Sequence, residues 1–201
     1  MNFEKIIQEL ESKFAHSALQ FTEANGELTV TVAEDHLLDV CKHLKDDPEF
    51  MFKMLVDACG VDYSTYGEAD FVHDKSGEFE SPFTKRYAAV YHLLSLEHNM
   101  RVRLRAFAHD DENPQLPSVV GLWAGANWFE REAYDLYGIE FYAHPDLRRI
   151  LTDYGFEEHP MRKDFPVHGR TEVVYDESKD KVVQKPCTYK FRRVVPRVIR
   201  R

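Results

Sequence analysis

Three carboxylates and an arginine lie within six residues of one another and form the first group that could do chemistry. Glu130, Glu132 and Asp135 are the acids, and Arg131 lies among them. Paired carboxylates can act as general acid and base when their surroundings separate their pKa values. Successive residues of a helix point about 100° apart, so Glu130 and Glu132 cannot converge on one substrate atom. The spacing therefore favours structural ion pairs over an acid–base site.

Two histidines and two aspartates form a second group further along the chain. His144, Asp146, Asp153 and His159 carry the nitrogen and oxygen ligands that metals use, but their irregular spacing matches no ligand pattern. The chain also has no Gly-rich phosphate loop and no Ser or Cys nucleophile in a recognisable elbow. From the residues alone we expect no metal ligand, no cofactor ligand and no catalytic residue in this chain.

A short helix over 127–137 is predicted to position the first group. Asn127 is a good N-cap, Glu130 follows three residues later to close a capping box, and Gly138 supplies the left-handed residue that ends a helix. Arg131 and Asp135 are spaced to pair at i,i+4. The other face of this helix is apolar, with Phe129, Ala133, Leu136 and Tyr137.

The segment after this helix, residues 139–166, is called the ridge here. Proline follows His144 and His159, which keeps both histidines out of helical geometry. Between them, residues 147–151 alternate as apolar, basic pair and apolar, which indicates packing against another surface. Arginine makes planar, bidentate bonds to carboxylates, so the arginines here either bind a partner protein or stabilise this chain's own C-terminal half. These arginines are Arg131, Arg148, Arg149 and Arg162.

About forty residues of the helix and ridge resemble the 30 kDa subunit family of respiratory complex I, and they follow the family's order and spacing throughout. That complex is the proton-pumping NADH:quinone oxidoreductase. Two positions depart from the family pattern, with Glu158 in place of the usual glycine and Met161 in place of the usual leucine. The residues that carry the resemblance are Glu130, Arg131, Glu132, Asp135, His144, Asp146, Arg148, Arg149, His159, Arg162, Lys163 and Asp164.

The resemblance implies a structural and assembly subunit that is not itself catalytic and holds no cofactor. It implies an α+β domain in the peripheral arm, bound to the large quinone-site subunit, with the iron–sulfur subunit nearby. The complex would pass electrons from NADH through FMN and iron–sulfur clusters of other subunits to a quinone, coupled to proton translocation. The implied location is peripheral, on the cytoplasmic face of the bacterial inner membrane or the matrix face of the mitochondrial one. The residues that carry the resemblance would then form an interface or structural signature.

Two alternatives stay open at this point. Related subunits look similar in membrane-bound hydrogenases, so the chain could belong to such a complex instead. A stand-alone enzyme that uses the acidic helix is the other alternative, and it would require the isolated chain to turn over a substrate.

Composition restricts the class of protein. The 201 residues are 43% apolar and 13% aromatic, which is typical of one globular domain or one domain with an arm. The net charge of -9 argues against nucleic acid as a partner. Residues 185–201 contain seven basic side chains and no acidic one, so the first 184 residues carry -9 minus 7, or -16. A basic tail therefore follows an acidic body.

The cysteines and the hydropathy pattern indicate the compartment. Three cysteines far apart fit a reducing environment and form no C-x-x-C pair for zinc or an iron–sulfur cluster. They are Cys41, Cys59 and Cys187. No apolar run approaches the roughly 18 residues that would cross a bilayer, and the N-terminus does not have the pattern of a signal peptide. We therefore expect membrane contact only through a partner.

The first half of the chain predicts alternating helices and strands. The apolar spacing predicts a helix of about four turns from residue 3 to residue 14, capped by Asn2. Strands over 19–21 and 28–32, joined by Asn25-Gly26, form a predicted hairpin. A helix over 35–45 is expected to turn five side chains inward: Leu37, Leu38, Val40, Cys41 and Leu44.

The middle of the chain predicts a short helix from Phe50 that becomes a strand at Gly60, then a surface loop over 67–84. Strands over 86–97 and 101–107 follow, joined by a predicted tight turn at His98-Asn99, and the second strand has one apolar and one basic face. That basic face is either solvated or a docking face for an acidic partner. Ser118 is predicted to cap a brief helical turn.

Together these elements predict an α+β fold with a mixed or antiparallel sheet, helices on one face and an extended C-terminal arm. The expected domains are 1–117, then 118–166 with the helix and ridge, then the arm over 167–201. Within the arm, residues 173–175 are predicted to add a strand.

Overall fold

The structure is a computed structural model and describes residues 3–66 and 83–188. Contacts divide the chain into two compact units, Met1–Arg162 and Lys163–Arg201. The cap at Asn2 and most of the loop predicted over 67–84 lie outside the described residues.

The first unit is built on a five-stranded mixed sheet. Its strands in chain order are β1 (Gln20–Ala24), β2 (Glu27–Ala33), β3 (Met54–Asp62), β4 (Tyr87–Ser95) and β5 (Met100–Phe107). Their spatial order is β1-β2-β5-β4-β3, with β2 and β5 parallel and the other neighbours antiparallel. The predicted mixed sheet is confirmed.

The two hairpins form where the turn residues predicted them. Asn25 and Gly26 have φ values of 54° and 76°, the left-handed geometry that a two-residue hairpin turn requires. The turn between β4 and β5 contains Asn99, also at positive φ. Asparagine and glycine tolerate this conformation, so the local sequence fixes both turns.

Three helices pack on one face of the sheet. They are α1 (Phe3–Lys13), α2 (Leu37–Asp46), which follows a 3-10 turn at Glu34–His36, and α3 (Ala126–Tyr137). Apolar side chains of all three share one core with the inward residues of β2, β4 and β5. The prediction that helices cover one face is confirmed, and Cys41 is buried in this core as expected. Leu38 was expected inward but is 40% exposed, because it lies on the solvent side of α2.

The predicted short helix after Phe50 is wrong. Phe50 and Phe52 are fully buried, but they lie in the irregular connection before β3, which already begins at Met54. Burial of these rings in the core supplies the apolar contacts without a helix. Gly60 lies within β3, where a Cβ would come within 2.6 Å of the Tyr137 ring of α3. Glycine at this position therefore lets α3 pack close against the strand.

The basic face of β5 is bonded largely to its own sheet. Arg103 donates to Thr29 and pairs with Glu27, and Arg105 donates to Thr31. The Arg105 guanidinium also lies 4.5 Å from the centre of the Phe83 ring. Two of the three arginines of this face, Arg103 and Arg105, are therefore bonded within the chain, and their positions do not require a partner protein.

Two small sheets complete the described residues. In the first unit β6 (Gln115–Pro117) pairs in parallel with β7 (Glu140–Tyr142), and so fixes the chain on both sides of α3. In the second unit β8 (Thr171–Asp176) contains the strand predicted over 173–175. β8 pairs with β9 (Lys181–Pro186), a hairpin that the sequence analysis did not foresee within the extended arm.

Candidate interface on the third helix and the ridge

The carboxylate of Asp135 fixes the ridge to α3. Its Oδ1 accepts a bond of 2.8 Å from Nη1 of Arg149 and another from the Thr152 hydroxyl. Three successive backbone N–H groups donate to Oδ2 at 2.7–3.0 Å, those of Ile150, Leu151 and Thr152. A fully buried carboxylate is therefore surrounded by donors from one short stretch of chain.

These donors control the ionisation of Asp135. Burial by itself raises the pKa of a carboxyl group. The Thr152 hydroxyl and the backbone N–H groups of Thr152, Leu151 and Ile150 act in the opposite direction, and they prevail. The pKa of Asp135 lies well below its ordinary value, so this carboxylate is ionised in the folded protein at neutral pH.

The ridge also covers the C-terminal end of α3. The last carbonyls of a helix have no partner within it. Here Arg162 Nε donates to the carbonyl of Tyr137 at 2.7 Å, and the Met161 N–H donates to that of Leu136. His159 Nδ1 lies 2.9 Å from the carbonyl of Asp135, which can only accept, so Nδ1 carries the proton. Cationic and N–H donors thus neutralise the negative end of the helix dipole.

Glu130 does not close a capping box. Helix α3 begins at Ala126, after Gly125, and no side chain caps it. The N–H groups of Ala126, Asn127 and Trp128 donate instead to carbonyls of the turn before the helix. The predicted N-cap at Asn127 is therefore wrong, because the preceding turn already supplies the acceptors that a capping side chain would provide.

The Glu130 carboxylate binds that preceding turn instead. It accepts the Ser118 hydroxyl at 2.6 Å and the Val119 N–H at 2.7 Å. The turn predicted at Ser118 is present, since the N–H groups of Leu122 and Trp123 donate to the Val119 carbonyl. Burial raises the pKa of Glu130 from 4.5 to about 7, although both hydrogen bonds act to lower it.

Arg131 and Asp135 do not pair with each other. Asp135 bonds to Arg149, whereas Arg131 donates its Nε to the backbone carbonyl of Arg148 at 3.2 Å. The Arg131 guanidinium lies 5.0 Å from the centre of the Trp128 ring. Both side chains bond to the ridge and not to each other. The predicted i,i+4 pair is therefore wrong.

A family model described as "Respiratory-chain NADH dehydrogenase, 30 Kd subunit" matches residues 30–171. The chain belongs to this family. It is 52% identical over 191 residues to an NADH-quinone oxidoreductase subunit of Burkholderia multivorans, covering 95% of this chain and 90% of the relative. The equivalent protein of Burkholderia mallei is equally similar. The solved structure "Nqo5 of the trypsin-resistant fragment (1-134) in P63 form" shares 32% identity at a TM-score of 0.58, covering 73% of this chain and 100% of that one.

Membership of this family makes the chain a subunit of respiratory complex I, whose other subunits are its partners. Over residues 3–66 and 83–188, no helix combines the length and apolar character needed to cross a membrane. In the same ranges, no three side chains of His, Cys, Asp or Glu are grouped closely enough to hold a metal ion.

The structure brings together only some of the residues that carry the family pattern. Asp135, Arg149, His159 and Arg162 converge on the C-terminal end of α3. His144 joins the other end of the helix, donating Nε2–H to the Asn127 carbonyl while its Nδ1 accepts the N–H two residues on. Glu130 and Arg131 are buried on α3 and bond elsewhere, to Val119 and to the carbonyl of Arg148. The other five residues are exposed: Glu132 on α3, Asp146 and Arg148 as an ion pair, and Lys163 and Asp164 in the second unit.

Two contacts of this site were not predicted from the sequence, that of Thr152 with Asp135 and that of Ser118 with Glu130. Thr152 donates both its hydroxyl and its N–H to Asp135, 17 residues away, and Ser118 donates to Glu130, 12 residues away. Neither bond follows a helical or strand period, so no local spacing could have indicated it. Glu158 keeps a negative φ, and its carbonyl accepts a bond from Arg149. Glycine is therefore not required at this position.

Proposed function

We propose that this chain is a cofactor-free structural and assembly subunit of proton-translocating NADH:quinone oxidoreductase. In this proposal it binds the large quinone-site subunit, lies near the iron–sulfur subunit, and is peripheral to the membrane, on the cytoplasmic or matrix face. Electrons pass from NADH through FMN and iron–sulfur clusters of the other subunits to the quinone. The chain keeps the quinone-side subunits in register, since catalytic geometry tolerates little displacement.

One observation carries this proposal: the ridge is held rigidly, yet its large apolar side chains point outward. Asp135 fixes the backbone of residues 150–152 with three N–H bonds. In this same stretch Leu151 is 62% exposed, and nearby Tyr154 is 98% exposed. Exposed apolar groups on a fixed backbone are typical of protein–protein interfaces, and aromatic and arginine side chains are enriched there.

The residues of the family pattern then have an indirect part in assembly. Arg149 donates to the Asp135 carboxylate, to the Thr152 hydroxyl and to the Glu158 carbonyl. Its loss would leave a buried carboxylate without its cation, which costs about 3–5 kcal/mol. The ridge would lose its fixed shape, and the surface presented to the partner would be lost with it.

The test compares assembly with turnover. In cells lacking the native gene, Arg149→Ala is expected to lower the amount of complex on native gels several-fold, because destabilised subunits are degraded. NADH:quinone activity per assembled particle should stay near the wild-type value. Lys5→Ala is the control, since Lys5 lies on α1, outside the ridge, and its side chain pairs with exposed Glu49. Normal assembly with abolished activity per particle would contradict the proposal.

The cofactor-free part of the proposal has its own measurement. The purified chain is expected to show no flavin absorbance in the visible spectrum and no bound metal by elemental analysis. Stoichiometric flavin, iron or zinc that survives dialysis would overturn it.

A further inference from the structure

A pocket beside α3 contains a buried arginine that pairs with no carboxylate in residues 3–66 and 83–188. The pocket has a volume of about 360 Å3, and Trp128, Arg131, Arg148, Ile150, Asp153 and Tyr154 are among the residues that line it. We call it the Trp128–Arg131 pocket. It lies on the same side of the ridge as the exposed Tyr154.

The Arg131 side chain is buried but only partly hydrogen-bonded. Arg131 is only 4% exposed, and its one hydrogen bond within the described residues is from Nε to a backbone carbonyl. Its Nη groups therefore have no acceptor in that part of the chain. The guanidinium carbon lies 5.0 Å from the centre of the Trp128 ring, which is within the range of a cation–π contact. A planar guanidinium with free Nη donors matches a carboxylate in bidentate geometry.

No carboxylate of the described residues bonds to Arg131. Asp135 is fully engaged with Arg149 and the ridge backbone. Asp146 pairs with Arg148, and Asp153 accepts the N–H of Tyr154 at 2.8 Å. Arg131 therefore has no carboxylate partner among the described residues, and covering its charge with another subunit is favourable only if that subunit brings an anion.

We infer that the Trp128–Arg131 pocket receives an aspartate or glutamate side chain from a partner subunit. The carboxylate lies on the free Nη groups of Arg131. An apolar neighbour of that acidic residue lies on Trp128, which is 64% exposed, and on Tyr154. This combination of a desolvated arginine and an aromatic rim is characteristic of the energetic centre of an interface. The inference rests on the proposed function, because it requires that this face docks a partner subunit.

The first experiment measures how much of the other complex I subunits co-purifies with the tagged full-length chain, expressed in cells that lack the native gene. Arg131→Gln is expected to weaken binding at least ~30-fold, because an acidic partner group would then be desolvated without its cation. Arg131→Lys should recover part of this loss, since it keeps the charge and loses the planar donor pair. The control Lys5→Gln should change binding less than ~5-fold, because Lys5 does not line the pocket and an exposed ion pair such as Lys5–Glu49 contributes little.

The results separate the two proposals. If the tagged wild-type chain purifies without any other subunit of the complex, the proposed function itself fails. If the wild-type chain binds and Arg131→Gln binds equally well, only the pocket assignment fails. Thermal unfolding of the isolated variants is measured in parallel. If a variant does not fold, its binding result is discarded and the crosslinking experiment described next decides.

The second experiment leaves Arg131 intact. Tyr154→p-benzoylphenylalanine places a photocrosslinker at the mouth of the pocket, on a side chain that is almost fully exposed. Irradiation of the assembled complex should link it to a peptide of another subunit with an aspartate or glutamate within a few residues of the link. A link to this chain's own tail, to lipid, or to a peptide without an acidic residue would overturn the inference.

Discussion

Three charged side chains of α3 are buried, and each shows how burial sets its ionisation or its partner. Asp135 and Glu130 are both carboxylates with almost no exposure, yet their pKa values move in opposite directions. Asp135 receives five donors including an arginine, whereas Glu130 receives only a hydroxyl and one N–H. Burial acts against the charged form in both cases, and the hydrogen bonds outweigh it at Asp135 but not at Glu130.

We predict that Asp135→Asn destabilises the isolated chain by about 3–5 kcal/mol, because it removes one member of a buried charge pair and leaves Arg149 without its anion. Urea unfolding at pH 7 measures this. Asp146→Asn is the matched control and should cost less than about 1 kcal/mol, since its ion pair is exposed. In the wild type, the contribution of Asp135 is present above the unfolded pKa near 3.8 and is lost as the pH falls toward the lower folded pKa. A loss below 1 kcal/mol for Asp135→Asn would contradict this account.

Glu130 gives the opposite pH dependence. Its pKa is about 7 when folded and 4.5 ordinarily, so between these values only the folded state keeps the proton. Its contribution to stability is full below pH 4.5 and is lost as the pH rises through 7, by about 3 kcal/mol in all.

We predict that Glu130→Gln removes this pH-dependent loss, because the amide accepts the Val119 N–H, donates to Ser118 and carries no proton to lose. The free energy of unfolding in urea at pH 5 and pH 8 should fall with pH in the wild type, and the variant should lack that component of the fall. Equal slopes for the two proteins would show that Glu130 does not titrate in this range.

At the scale of the element, the end of α3 is where helix and ridge meet. Gly138 has φ 73° and ends the helix, as the sequence predicted. The same residue makes room for the ridge, because a Cβ here would meet Arg162 and would lie 2.6 Å from the His159 ring. Both side chains donate to the last carbonyls of the helix. One glycine thus allows both the left-handed turn and the closure of the helix end.

We predict that Gly138→Ala lowers the free energy of unfolding by at least about 2 kcal/mol. The left-handed conformation alone costs about 1–2 kcal/mol for a residue with a Cβ, and displacement of Arg162 and His159 adds to this. Gly155→Ala is the matched control, since a Cβ at Gly155 would meet nothing within 4 Å and its φ is not positive. Thermal and urea unfolding of both variants measure the difference, and equal stability would contradict the packing argument.

At the scale of the whole molecule, the two units differ in how they are stabilised. Among the described residues, the buried residues of the hydrophobic core all lie between Ile6 and Phe141, within the first unit. The described part of the second unit contains the two-stranded sheet of β8 and β9, whose residues are mostly exposed. An isolated pair of strands is marginally stable in water, so the second unit depends on other contacts for its order.

We predict that a chain ending after Arg162 unfolds cooperatively, with a free energy within about 1 kcal/mol of the full-length value, because it keeps the entire core. A peptide of residues 163–201 should show no cooperative transition by circular dichroism. The control is full-length protein under the same conditions. Loss of cooperative unfolding in the shortened chain would show that the tail is part of the core.

The sequence alone determined the features that depend on neighbouring residues. Asn25-Gly26 fixed a hairpin, Gly138 ended α3, and the alternation along β5 gave its apolar and basic faces. The motifs of the helix and ridge also indicated the family, which the comparisons then confirmed. Each of these depends on backbone preference or on residue types in a fixed order, both of which can be read locally.

Only the tertiary structure decided which charges of α3 are paired and with what. The i,i+4 spacing predicted a pair of Arg131 with Asp135, and the capping-box pattern predicted that Glu130 bonds to the start of the helix. All three side chains instead bond to residues 11–17 positions away. A local pair on an exposed helix contributes a few tenths of a kcal/mol. A buried carboxylate must be fully bonded or it costs several. Burial therefore overrode the local preference, and burial is a property of the folded chain.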